Sequence, residues 1–538
     1  MSKKKIIIIS LLIILIIGVI IGIIIFNNKK GISKDNYIGG VEDVDFSSYS
    51  TTELTTSETI KSGGIYNLTG SYDETITIDA GEADVKLVLT DTTITSTNGP
   101  AIYIISADNV YIELVGNNTI KSTTTSDLKG AIYSKSDLCF VGTGSLTITS
   151  NYDGIVSKDD LEIEEGTYTI TSDDDGIVGK DSVYILNGTF NITSKGDGIK
   201  SSNEEEKGVI TILGGKYNIK ASGDGITSIA TLTIEGGEFD ITSGSGSSTS
   251  YNSTTSMKGI KANGDLTITG GKFNISSTDD AIHTNSNQTI KGGTINISSG
   301  DDGLHADKNL VIDDGTINIT KSYEGIEGLN ITVNGGDIKV VASDDGFNAA
   351  GGDGSSQERM GSASYSSNNS IQLTITNGNI YVNASGDGLD SNGSIYIKGG
   401  TTYVDGPTNN GNGAIDIGDG GSYVFEVTGG TLIAVGTSGM AISPTSSTTV
   451  TSVLINTTQA YNGSITLGNI TYNPSKAYNS ILICSSDLKV GNTYTLKINN
   501  TDIQSVTLNN TITTSGTTGN MGGPGGGDHG GGAQVRMR

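Results

Sequence analysis

The sequence predicts an all-β chain wound as a right-handed parallel β-helix, and three observations predict it. First, an acid-bearing unit (DDAIH, DDGLH, YEGIEG, DDGFN) returns at steps of 22, 22 and 21 residues, counted at Asp280, Asp302, Glu324 and Asp345. Second, each unit divides into three short period-two stretches. In residues 301–320, Leu304 and Ala306 flank His305, Leu310 and Ile312 flank Val311, and Ile317 and Ile319 flank Asn318. Three strands joined by Gly or Asp corners make one rung, and a period of this length is that of a coiled solenoid. Third, the 538 residues include 77 Gly, only 5 Pro and no Trp, with Ile and Val supplying most of the apolar side chains. That mixture suits short strands and tight corners. A leucine-rich repeat is disfavoured because the L-x-x-L-x-L frame is missing, and a nine-residue calcium roll is excluded by period.

Residues 6–26 (IIIISLLIILIIGVIIGIIIF) form an unbroken apolar run preceded by Lys3–Lys5. It is long enough to span a bilayer, and no A-x-A-like cleavage site follows. The expectation is a signal anchor over residues 1–30, a polar stalk over 31–53, and a single-pass membrane protein displaying its β-helix at the cell surface. The β-helix is expected over residues 54–440. Insertions at 202–207, 243–257 and 350–369 interrupt it and read as loops on one edge. Residues 441–515 keep alternation without the repeat and are expected to form a small antiparallel β cap over the open end. Residues 516–538 have the composition of a flexible Gly-rich tail.

Two further columns follow from the phase of the repeat. Gly pairs such as Gly214-Gly215 and Gly270-Gly271 mark a second corner that needs positive φ. After them Phe190, Tyr217, Phe239 and Phe273 fall at one inward position and predict an aromatic stack in the core. Cys139 in LCF falls at an outward position, whereas Cys484 reads as core filler; the two are too far apart in the array to predict a disulfide.

The charge is strongly negative. Residues 1–30 hold five lysines and no acid, so residues 31–538 carry 27 basic and 58 acidic side chains, a formal −31. Such a body repels nucleic acid and anionic lipid and attracts divalent cations. Equivalent carboxylates on adjacent rungs lie ~4.8 Å apart and repel unless a cation sits between them. That spacing lets Ca²⁺, with bonds of roughly 2.3–2.6 Å, take oxygens from two rungs. The expected calcium ligands are Asp175, Asp197 and Asp224 in one column, Asp280, Asp302, Glu324 and Asp345 in the next, and Asp387 beyond. The alternative for each aspartate is a turn cap that accepts a backbone N–H.

The next outward position reads Val156, Val178, Lys200, Thr227, Lys261, His283, His305, Glu327, Asn348, Asp390. Its polar end, Lys261 to Asp390, is the expected ligand-binding patch. Tyr381 and Tyr403 stand one rung apart near it and offer flat faces for sugar rings. A transition metal at His283 and His305 requires the two imidazoles to converge.

The run DDAIHT…DDGLHAD…YEGIEG…ASDDGFNAAGG, with a Gly-rich Met/Pro tail, resembles the bacterial carbohydrate-binding β-helix family, whose fold is similar to that of calcium-dependent pectate lyases. The resemblance covers roughly residues 54–436 and is most specific over 275–352. It implies Ca²⁺ as cofactor and a polysaccharide partner, either pectin-like polygalacturonate or cellulose, bound without catalysis by a monomer. Lys261, His283, His305, Glu327, Asn348, Asp390, Tyr381 and Tyr403 are the expected glycan contacts. The alternatives are a calcium-dependent polysaccharide lyase using Lys200, Lys261 or Arg359, and a structural adhesin or spacer that calcium only stiffens.

Overall fold

A computed structural model describes residues 40–123, 127–203, 207–249, 255–350, 371–418 and 423–516. They form an all-β chain with one large, mostly parallel sheet and a separate four-stranded antiparallel sheet. The solenoid arises because each strand pairs with its counterpart one repeat away. Ile282–Thr284 lies parallel between Ile260–Ala262 and Leu304–Ile312, and Gln288–Ile290 between Leu266–Ile268 and the far half of Leu304–Ile312. Thr294–Ser299 lies between Lys272–Ser277 and Thr316–Lys321. Alternating residues of the solenoid strands point into a continuous apolar core running from Leu54 to Cys484, and the antiparallel sheet packs a second cluster of its own.

The expected aromatic column stands in that core. Phe190, Tyr217, Phe239 and Phe273 stack with centroids 4.9, 4.5 and 4.6 Å apart and rings nearly coplanar. The spacing is that of the strands, so each ring rides on the one below. The second glycine of each pair has the positive φ that the corner demands, for example +107° at Gly271. A Cβ there would stand 3.1 Å from the carbonyl oxygen of Gly237 on the preceding rung.

Two parts cover the solenoid. Residues 40–49 lie across an outer face: Val41 N–H donates to Glu162 Oε2 at 2.8 Å, the Tyr111 hydroxyl donates to the Glu42 carbonyl, and Phe46 packs edge-on against Tyr111. Cys139, expected at the surface, is therefore fully buried beneath Val41 and Tyr111. At the other end the parallel order stops. Thr431–Gly436 and Ser452–Tyr461 both pair antiparallel with Tyr478–Cys484. Ile465–Leu467, Ile470–Tyr472, Thr493–Ile498 and Thr501–Thr507 form the antiparallel sheet beyond it.

The expected N-terminal transmembrane helix is corrected. Among the described residues no helix is long and apolar enough to cross a membrane. The helical turn at Phe46–Ser48 spans three residues, against the ~20 needed for a bilayer core. Residues 1–39, on which that expectation rested, lie outside the described residues, as do Arg359 and residues 517–538. The single-pass placement at the cell surface falls with the helix.

Candidate functional site

The acidic corners are built by close stacking of backbone. At Gly198 a Cβ would stand 2.4 Å from the Gly225 carbonyl oxygen and 2.5 Å from Ile219 Cγ2, so the residue after the acid must be small. The corner amides then hydrogen-bond rung to rung; Gly176 N–H, for example, donates to the Asp197 carbonyl at 2.9 Å. This stacking leaves the amide of each acid facing the carboxylate of the acid one rung before it. Asp175 N–H donates to Asp153 Oδ1 (3.0 Å), Asp197 to Asp175 (2.7 Å), Asp224 to Asp197 (2.8 Å) and Lys258 to Asp224 (2.7 Å). The ladder continues from Asp302 to Asp280 (3.0 Å), Glu324 to Asp302 (3.2 Å), Asp387 to Asp345 and Gly413 to Asp387. Capping and charge are thus not alternatives: each of these carboxylates spends one oxygen on a backbone amide and keeps the other.

The second oxygen meets a different partner at each height. Lys200 Nζ bridges Asp175 Oδ2 (3.1 Å) and Asp197 Oδ2 (2.9 Å). Burial opposes its charge, but Asp197 and Asp175 hold the ammonium above its usual range. Lys261 Nζ stands 4.0 Å from Asp224 Oδ2. Lys258 Nζ lies 2.8 Å from Asp279 Oδ1 and 2.9 Å from Asp280 Oδ2. Lys258 occupies the place where other rungs have their acid, a charge reversal visible in the sequence as KG for DG.

Above Lys258 the column turns to imidazole. His283 and His305 are buried, not outward-facing and open as expected, because the corner carboxylate and the residue two further on close over each ring. His283 Nδ1 faces Asp280 Oδ2 at 2.9 Å and Nε2 faces Asn285 Oδ1 at 2.7 Å. His305 Nδ1 faces Asp302 Oδ2 at 3.1 Å and Glu327 Oε2 at 2.7 Å, and Nε2 faces Asp307 Oδ1 at 3.0 Å. The rings stack nearly parallel at 4.6 Å, so each imidazole addresses its own corner carboxylate and the two do not converge on one point. Burial, followed by the Lys258 charge, pushes His283 down to about 4. His305 is instead raised against its burial, chiefly by Glu327. Glu324 is raised by burial and then by Glu327, while Asn348 Nδ2 donates to its Oε2 at 2.7 Å.

Beyond Asn348 the compensation stops. Burial, then Asp344, pushes Asp345 up to about 7, and burial pushes Asp387 to about 6. Asp390 rises to about 8 through burial and then through Asp345, Asp387 and Asp416. No lysine, arginine or histidine pairs with these three among the described residues.

The outward column itself is continuous. Strand register carries it from Tyr103 and Tyr133 through Val156, Val178, Lys200, Thr227, Lys261, His283, His305, Glu327 and Asn348 to Asp390. Sequence reasoning began it at Val156 and missed the two half-buried tyrosines. Their rings meet at 6.1 Å, with Lys135 and Lys158 over them at 5.9 and 5.5 Å. The signal was available: both follow the same Ala-Ile pair that marks the corner. Tyr381 and Tyr403 lie elsewhere, on a different strand beneath the cap. Tyr381 donates its hydroxyl to Asp405 Oδ2 at 2.9 Å, and Tyr403 stacks on Tyr472 at 4.8 Å.

With this geometry in place, the chain can be set beside known proteins. Residues 55–303 match a family model described as carbohydrate-binding domain-containing protein. The chain is similar to carbohydrate-binding domain-containing proteins. A relative of that description from Acetivibrio thermocellus is 33% identical over 153 residues, 26% of this chain and 49% of the relative. The chain thus spans about half the length of the curated relative it matches. Among solved structures, a polysaccharide lyase-like protein from C. thermocellum, a gadolinium derivative, is 30% identical over 44% of this chain and 88% of its own, with a TM-score of 0.32.

Proposed function

We propose that this protein is a non-catalytic, calcium-dependent polysaccharide-binding solenoid whose ligand lies along the column from Tyr103 to Asp390. The observation that carries the reading is the acidic end. At Asp175, Asp197 and Asp280 the second carboxylate oxygen has a built-in cation, Lys200 or Lys258. At Asp345, Asp387 and Asp390 it has none among the described residues, and burial with mutual repulsion raises all three. Stacked carboxylates are hard oxygen donors of the kind Ca²⁺ takes, so this end fits calcium better than the lysine-filled Asp175–Asp224 rungs. A calcium ion held there supplies positive charge that a uronate carboxylate can share, which a body of −31 otherwise repels. The Tyr103 and Tyr133 faces with Lys135 and Lys158 suit the apolar face and the charge of an acidic sugar at the far end.

The lyase alternative needs a neutral lysine as base. Lys200 is held protonated between two aspartates, which argues against that role.

The test is retention of the full chain on immobilised polygalacturonate and on cellulose, with calcium and with EDTA, while unsaturated-uronide absorbance is followed. Retention that EDTA abolishes, with no absorbance, is the expected result. Accumulating product would overturn the non-catalytic reading, and retention indifferent to EDTA would overturn the calcium bridge.

A further inference from the structure

We propose that Asp302, His305 and Glu327 form a site for a first-row divalent transition cation of the zinc type, distinct from the oxygen-only calcium position at the acidic end. The inference stands apart from the glycan-binding reading and survives its failure.

The geometry is that of a donor face. His305 Nδ1 lies 3.1 Å from Asp302 Oδ2 and 2.7 Å from Glu327 Oε2. A zinc-type cation with bonds of roughly 2.0–2.2 Å holds adjacent donors about 2.8–3.5 Å apart, so small movements around a central ion bring all three into its shell. One imidazole with two carboxylates is a borderline donor set, whereas calcium takes oxygen alone. The far side of the ring is arranged for the same purpose. Asp307 Oδ1 stands 3.0 Å from Nε2, the carboxylate–histidine pairing that directs the other nitrogen's lone pair at a metal. With Nε2–H donated to Asp307, Nδ1 is the nitrogen left facing the two carboxylates, and a cation entering between them takes the place of the proton they share.

An independent observation points the same way. Asn348 is 8% exposed and lies opposite Glu327 in strand register. Its Nδ2 is used on Glu324 Oε2, and its Oδ1 is buried with no donor. A buried carbonyl oxygen without a donor costs about 1–3 kcal/mol. A metal at Glu327, or a water on that metal, supplies the missing partner. One rung below, Lys258 already neutralises Asp279 and Asp280, which confines the site to the His305 rung. The His283 ring, stacked at 4.6 Å, closes that side against water.

The experiment titrates zinc into the EDTA-treated, dialysed full chain in millimolar calcium, which fills oxygen-only positions. The expected result is tight zinc binding that calcium does not displace, weakened at least 100-fold in His305→Gln and 10- to 100-fold in Asp307→Asn. Asp345→Asn should leave it unchanged. Zinc-edge X-ray absorption on the wild-type chain keeps the test independent of whether the variants fold: one imidazole nitrogen in an otherwise oxygen shell is expected. An oxygen-only shell, full displacement by calcium, or unchanged affinity in a folded His305→Gln chain would overturn the site.

Discussion

Replacing Lys200 by methionine removes the ammonium that bridges two rungs while keeping an unbranched stem. Its contacts to Asp175 and Asp197 are 3.1 and 2.9 Å. At ~3 Å and an effective dielectric near 20, each is worth roughly 5–6 kcal/mol before desolvation. The Lys200 side chain is 34% exposed, so solvent screening and the regained hydration of the ammonium cancel most of this. Breaking a fully buried pair costs about 3–5 kcal/mol, and a pair screened to this degree should cost about 2–3 kcal/mol. Because rungs contact only their neighbours, the loss should be local. It should appear as faster hydrogen exchange at the amides of Gly176 and Gly198 as well as in urea unfolding. The same variant should become sensitive to calcium, since the two vacated Oδ2 atoms both lay within reach of one Nζ and now lack a cation. Lys200→Met in EDTA matching wild type to within about 0.5 kcal/mol would refute the reasoning that stacked corner carboxylates require a cation.

Gln288 is fully buried between Leu266 and Leu310 in register, and neither amide atom has a partner. Gln288→Leu should stabilise the chain by about 1–3 kcal/mol in urea unfolding, and a loss of stability would contradict that reading. Asp405 is buried and accepts from Tyr472 Oη (2.6 Å), Tyr381 Oη (2.9 Å) and Ser475 N–H (2.7 Å). Asp405→Ala should cost about 2–4 kcal/mol and expose the cap to limited proteolysis, because these donors and the Ser475 hydroxyl all lose their shared acceptor. Asp137 and Asp153 are both pushed up to about 7, chiefly by burial, from an ordinary value of 3.8. Between those values the unfolded chain releases protons that the native chain retains, so stability falls as pH rises. In EDTA the melting temperature should therefore be higher at pH 5 than at pH 8, and the opposite order would remove the burial argument.

Strand positions, rung-to-rung register, the aromatic stack and the positive-φ glycines were all legible from the period and its phase. These are consequences of local pattern: a period-two stretch can bury only one of its faces, and a repeat repeats its neighbours. The carboxylate column was legible for the same reason, since Asp280 and Asp302 occupy one phase whatever surrounds them. What neutralises each carboxylate was not. Lys200 reaches back across a rung, Lys258 arrives at the end of an insertion, and His305 gathers Asp302, Asp307 and Glu327 from two rungs. The burial of Cys139 and Tyr111 beneath Val41 depends on Glu162, 121 residues from Val41, and Tyr381 and Tyr403 are committed to the cap by Asp405 and Tyr472. By itself the sequence determined where charge recurs along the solenoid. Only the tertiary structure decided which of those charges is already balanced by lysine, which is shared with imidazole, and which, at Asp345, Asp387 and Asp390, meets no cation among the described residues. That balance is set by side chains distant in sequence meeting in a poorly solvated column, where a few ångströms decide whether a carboxylate keeps its charge.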